Sequence, residues 1–418
     1  MADFYWVGGT GNWSAYGTHW ATATGGGTFH GNAPTSSDNV YFDANSFSSA
    51  DQTVTVDTAA YCLDMDWTGA TNTPEMAGAS SINISGSLTT IAAMVWSHTG
   101  YCSLKATGNV TTNGLSINCL FVLSTAANIT LIDALDVGTK QFLFEAGTLD
   151  TNGQALTCGA FNLTTAGAKT LTLGASIINC VSLNYSGSNL TITANTATIN
   201  VTGTGAVALG SADWNGADFN LNGTAHALSG SPTGIGVLTL KADATQTVTF
   251  EAGNNLQATT VALDGDTSHT HTVKSATANS LTQITATTLT HTYCTITDMI
   301  LADIGGDVLV TCAGTTGGTF AGADNTYGDI TIEGAGNYPL IITGDNIFDI
   351  FTVDASDAAK TIKFTDGSTQ NVNDFQRDNG GTNIITLTGT STAGWAIVND
   401  GGGVVSLDYM DISYSTAT

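Results

Sequence analysis

The sequence is poor in the side chains that usually cover helices. Its 418 residues hold one Arg (Arg377), four Glu (Glu75, Glu145, Glu251 and Glu333) and only eight Lys plus Arg together. Glu, Lys and Arg are strong helix formers, so their scarcity argues against a largely helical chain. The shortage of cations also excludes partners. At a formal net charge of −26 the surface repels phosphate backbones and anionic lipid. Lys105, Lys140, Lys169, Lys241, Lys274, Lys360 and Lys363 are scattered and form no basic patch, so no nucleic-acid partner is expected. No apolar run nears the roughly 20 residues that span a bilayer, and no membrane insertion is expected. Residues 1–10 lack a basic segment followed by an apolar one. No signal peptide is therefore expected, and assembly in a reducing cytoplasm follows.

What is abundant is 49 Gly, together with Thr, Asn, Ser and Asp. Thr, Val and Ile suit half-buried strands, and Gly, Asn and Asp suit turns with positive φ. The composition predicts an all-β fold rich in turns. Seven cysteines cannot all pair within one chain. They lie inside apolar strands such as "SINCLFVL" and "IINCVSLNY", as buried free thiols do.

Repetition is the main feature after residue 80. "CSLKATGNVTTNGLSINC", "FLFEAGTLDTNGQALTC", "FNLTTAGAKTLTLGASIINC" and "VSLNYSGSNLTITANTATINV" follow one another without a helical interruption. Cys102, Cys119, Cys158 and Cys180 are spaced 17, 39 and 22 residues apart, near one, two and one times a period of about 20. This predicts a parallel β-helix or β-solenoid with coils of roughly 18–24 residues, each shielding the inward face of the next. The expected organisation is an N-terminal aromatic-rich cap or attachment segment over 1–60 and a solenoid over 61–345. A C-terminal β segment over 346–418 is either the last coils or a small sandwich. An open solenoid end is a sticky edge. Trp6, Trp13, Trp20, Phe29, Tyr41 and Phe42 are the expected lid, or alternatively a platform on which sugar rings stack.

The opening stretch "YWVGGTGNWS…HWAT…GG…APTSSDNVYFDANSF" carries Trp6, Gly8, Gly9, Gly11, Asn12, Trp13, Trp20, Pro34, Asp38, Val40, Phe42 and Asp43. It resembles a motif at the start of phage tail-fibre-like and virion β-helix proteins, found also in bacterial β-helical surface adhesins. "GTLDTNGQALTCGAFNLTTAGAKTLTLGAS" and "KTIKFTDGSTQNVNDF…NIITLTGTSTAGWAI…VSLDYMDIS" resemble segments of similar proteins, and the three stretches touch about a third of the chain. The resemblance implies a non-enzymatic virion component: a tail fibre, a spike or a capsid decoration. It implies other virion proteins as partners, a homo-oligomer with a trimer favoured, and contact with a host surface glycan or protein. It carries no catalytic residues with it. The alternatives are a glycan depolymerase of the tailspike kind and a secreted bacterial adhesin.

Candidate chemistry is sparse. "DGDTSHTH" gathers Asp264, Asp266, His269 and His271, the densest titratable cluster. Alternate strand residues share a face, so His269 and His271 are candidates for a shared outward metal site. Asp64 with Asp66, and Asp298 with Asp303, are oxygen donors of the kind calcium takes. "GGTGNW" has no helix after it to complete a phosphate loop. No catalytic group and no cofactor is assigned; calcium is the one ion considered.

Overall fold

The computed structural model describes residues 1–418 apart from 125–126, 188, 279, 305–306, 312–318, 321–325, 337–338, 379–381, 400–402, 404–408 and 418, with only the backbone at 378, 416 and 417. The protein is nearly all β, with 52% strand and 1% helix, and forms a β-solenoid of about 16 turns of parallel stacked strands. Two compact units divide it: Met1–Gly203 with Gly210–Phe219, and Thr204–Leu209 with Asn220–Thr418.

In the first unit the inward positions stack in register. One ladder places Ile82, Cys102, Phe121, Phe142, Phe161 and Leu183 over one another at intervals of 19–22 residues. All six are essentially inaccessible to solvent. A second ladder runs Val40, Met65, Leu88, Val110 and Leu131. Strand pairing fixes which coil contacts which, and the buried ladders then supply most of the stabilisation. Cys158 stands in register with Cys180, as the spacing of 22 predicts. Cys102 instead pairs with Phe121, so its interval of 17 to Cys119 is not a register interval. The six described cysteines are free; Cys312 lies outside the described residues.

Turns recur where the coil bends. Asn113, Asn152 and Asn215 each hold φ near +50° and each precedes a glycine. Asparagine tolerates this left-handed conformation better than other residues with a β-carbon. At Gly147 the constraint is tighter. Its φ is +101°, and a β-carbon there would lie 2.1 Å from the Ala127 carbonyl oxygen of the coil before. Asn152→Ala is expected to cost about 1–2 kcal/mol, with Asn152→Gly close to wild type, because only the first forces an unfavourable φ. Urea unfolding followed by far-UV circular dichroism measures both.

The N-terminal edge of the first sheet is covered. Asp3–Trp6 pairs in parallel with Asn39–Tyr41 on one side and antiparallel with Trp20–Ala21 on the other. An antiparallel strand thus ends the parallel stack. Beneath it, Trp6, Trp13, Trp20, Phe42, Phe47 and Trp67 form a solvent-excluded cluster.

The described residues of the second unit contain one reversal of strand pairing. Up to Met299–Asp303 the strands are parallel, but that strand pairs antiparallel with Val308–Thr311. Parallel pairing then resumes with Ile330–Glu333, Asn346–Asp354 and Thr369–Asp378. The core changes side of the sheet at the same place. Leu301 continues the ladder of Leu256 and Ile284 on one face. Ile300 and Ala302 point to the other face, where they join Val308, Val310, Ile330, Ile332 and Phe351 in a separate cluster. Met299, Ile300, Leu301 and Ala302 are consequently all buried, unlike the alternation of a normal strand. Strand direction and core side invert together. The two inversions cancel, so the winding sense is the same before and after the joint. Beyond it, parallel pairing runs from Thr369–Asp378 through Trp395–Asn399 to Ser415–Ala417.

Candidate functional site

Four of the expected lid aromatics are interior groups, whereas Phe29 is exposed. Trp6, Trp13, Trp20 and Phe42 are at most 1% exposed. Trp6 and Trp20 meet edge to face at 4.9 Å, and Phe42 stacks on Trp67 at 3.7 Å. The Trp6 Nε1–H donates to Gly9 O (2.8 Å) and the Trp20 Nε1–H to Trp13 O (2.9 Å). These indoles present no face to a sugar. Tyr41 is half-buried and stacks on Tyr5 at 5.1 Å on the opposite side of the strand from the cluster.

The "DGDTSHTH" residues separate. His269 Nδ1 lies 3.0 Å from Asp266 across a turn. Asp264 accepts hydrogen bonds from the Thr290 hydroxyl and from the Thr292 backbone and hydroxyl. His271 turns inward and is fully buried. Its Nδ1 accepts the Gln246 backbone N–H (3.2 Å), and its Nε2–H donates to Asp264 O (3.1 Å). Both ring nitrogens are engaged, so His269 and His271 do not share an outward face. The reason is the coil below: Gln246 needs an acceptor for its buried N–H, and the imidazole supplies one. Asp64 and Asp66 serve backbone turns, accepting from the N–H groups of Ser87 (2.6 Å) and Thr68 (2.7 Å). Asp298 is buried and adopts a positive φ. Among the described residues no three His, Cys, Asp or Glu side chains converge on one point.

Inward polar side chains form a recurrent corner. Lys169, at the start of a strand, donates from Nζ to the carbonyls of Thr165 and Gly167. Lys360 does the same toward Gly334 and Ala358, and Gln246 Nε2 toward Leu221 and Gly223. Each satisfies loop carbonyls that the coil closes over.

Burial pushes the imidazoles of His98, His226 and His271 below their usual pKa range. The folded state therefore binds these protons more weakly than the unfolded chain does. Their contribution is intact above the unfolded value near 6.5 and is lost as pH falls through it. Acidification from pH 7 to 5.5 is expected to lower stability, by at most about 1.4 kcal/mol per pH unit for each histidine. His271→Gln is expected to flatten this dependence, as read from urea midpoints across pH.

One open concavity stands out in the second unit. A groove of about 340 Å³ lies beside the antiparallel joint and is lined by Leu289, Leu301, Val308 and Leu309, by Asp303, Asp307 and Asp329, and by His291 and Thr331. Its position follows from the core switch. Leu301, Leu309 and Thr331 are register neighbours on the face that the earlier core occupies. Leu301 is buried, while Leu309 and Thr331 are only half-buried, so the interior of the earlier stack opens here. Asp303 occupies the register position of the buried Ala286 one coil before. Its Oδ1 is buried and has no hydrogen-bond partner. The Asp307 carboxylate accepts the Asp329 N–H (3.0 Å). Burial raises the carboxyl pKa of both Asp303 and Asp329 against the backbone N–H bonds they accept from Leu289 and Ile350, and the Asp307 charge adds to the rise, with Asp349 adding to it at Asp329. No protein-family model, curated protein or solved structure matches this chain.

Proposed function

We propose that the protein is a non-enzymatic structural component of a tailed-phage virion, a fibre, spike or surface decoration that contacts the host surface. The observation that carries this reading is the stacked register itself. Coil after coil repeats the same inward ladder and closes its backbone hydrogen bonds on its neighbours, which resists local opening and proteolysis. The acidic, Thr- and Asn-rich exterior favours solubility. Neighbouring outward side chains bond along the stack, as Asn200 Nδ2 does with Asn179 Oδ1 at 2.8 Å. Many copies on a particle raise avidity for weak surface ligands. Attachment at a symmetry axis makes a homotrimer the favoured assembly, with other virion proteins at the attached end. Immunogold labelling of purified particles with an antibody to this chain tests the reading. Label at the tail or capsid surface supports it, and label absent from intact and disrupted particles overturns it.

A second reading, a glycan depolymerase, draws on one observation: Asp303, Asp307 and Asp329 line a groove. Carboxylates flanking a glycosidic bond are what glycoside hydrolysis needs. The aliphatic lining speaks against it, because sugar faces are usually held by aromatic rings. New reducing ends from host polysaccharide, abolished by Asp303→Asn, would establish this second reading.

A further inference from the structure

The groove beside the antiparallel joint combines two features that select one kind of ligand. Its lining is aliphatic in part, from Leu289, Leu301 and Leu309, and acidic in part, from Asp303, Asp307 and Asp329. We propose that it docks a short basic, leucine-bearing segment of a partner protein. The Leu289 backbone N–H already bonds the half-buried Asp303 carboxyl, but its Oδ1 is buried without a partner, and such an acceptor is costly until a further N–H reaches it. Neighbouring carboxylates oppose one another's ionisation here, so a cation is doubly favoured. Lysine and arginine bring both the charge and the N–H groups. The apolar half is the opened end of a hydrophobic ladder, which gains from covering by aliphatic side chains. A bare divalent ion fits less well, because among the described residues no three ligating side chains converge. A second copy of this chain is a poor occupant, since it has eight basic residues in 418.

The test titrates the full chain with a fluorescein-labelled hexapeptide of alternating leucine and arginine, followed by fluorescence anisotropy. Saturable binding is expected. Asp303→Asn combined with Asp307→Asn and Asp329→Asn should weaken it at least about tenfold. A control with the same charge change, Asp243→Asn, Asp357→Asn and Asp411→Asn, alters three exposed carboxylates elsewhere and should stay within about twofold. Replacing the leucines of the peptide by serine should also cost about tenfold. Should the triple variant misfold by circular dichroism, Leu309→Lys serves instead. It alters a half-buried groove residue outside the second core and should abolish binding. Equal losses in the control, indifference to the leucines, or displacement of the peptide by calcium or by a neutral oligosaccharide would each overturn the proposal.

Discussion

Trp20→Ala is expected to destabilise the N-terminal unit by about 3–5 kcal/mol. The indole is fully buried and touches Phe4, Trp6, Trp13 and Phe42 through edge-type contacts at 4.8–6.2 Å. Alanine leaves a cavity that these large rings cannot all collapse into. It also removes the Nε1–H bond to Trp13 O. The second consequence concerns the edge. Trp20–Ala21 is the antiparallel strand that covers Asp3–Trp6, and loosening it bares unpaired N–H and C=O groups of a parallel stack. Such an edge recruits other chains. Far-UV circular dichroism in urea should show the lower midpoint, and static light scattering should show growth of assemblies below that midpoint. Tyr16→Ala, at a side chain 41% exposed in the same segment, is the comparison and should change little. If Trp20→Ala matched Tyr16→Ala in both measurements, the lid would not be what closes this end.

The coil period was legible in the sequence because backbone pairing forces it. Observed intervals of 19–22 residues in the ladder from Ile82 to Leu183 fall inside the expected 18–24. Individual registers were less legible. Coil corners absorb a few residues each, so a 17-residue gap between Cys102 and Cys119 resembles a period without being one. The inward turn of His271 was hidden for a related reason. Strand alternation says which residues share a face, but Gln246 of the coil below decides which face that is. The groove lay further from view, since it depends on a change of pairing direction together with a change of core side. One trace of it is local. The run "MILA" at 299–302 is a continuous apolar stretch in a chain of alternating strands, the pattern of a strand covered on both faces. Asp307 and Asp329 carry no comparable signal, because they meet only after the chain has doubled back.

Ile300→Ala and Leu301→Ala are each expected to cost about 2–5 kcal/mol, although the two residues are adjacent and point to opposite faces. On an ordinary strand of this protein the same pair of truncations should be unequal. Leu340 is fully buried and its neighbour Ile341 half-buried, so Leu340→Ala should be costly and Ile341→Ala much less so. At the joint both faces carry core. Ile300 belongs to the cluster with Val308, Val310 and Ile330, whereas Leu301 closes the ladder begun by Leu256 and Ile284. Four urea unfolding curves decide the matter. Similar losses at 300 and 301, set against dissimilar losses at 340 and 341, are the signature of a strand shared by two cores. A Leu301→Ala variant as mild as Ile341→Ala would mean that the earlier core ends before this strand. The groove would then be an ordinary surface hollow, with no opened hydrophobic ladder for a ligand to cover.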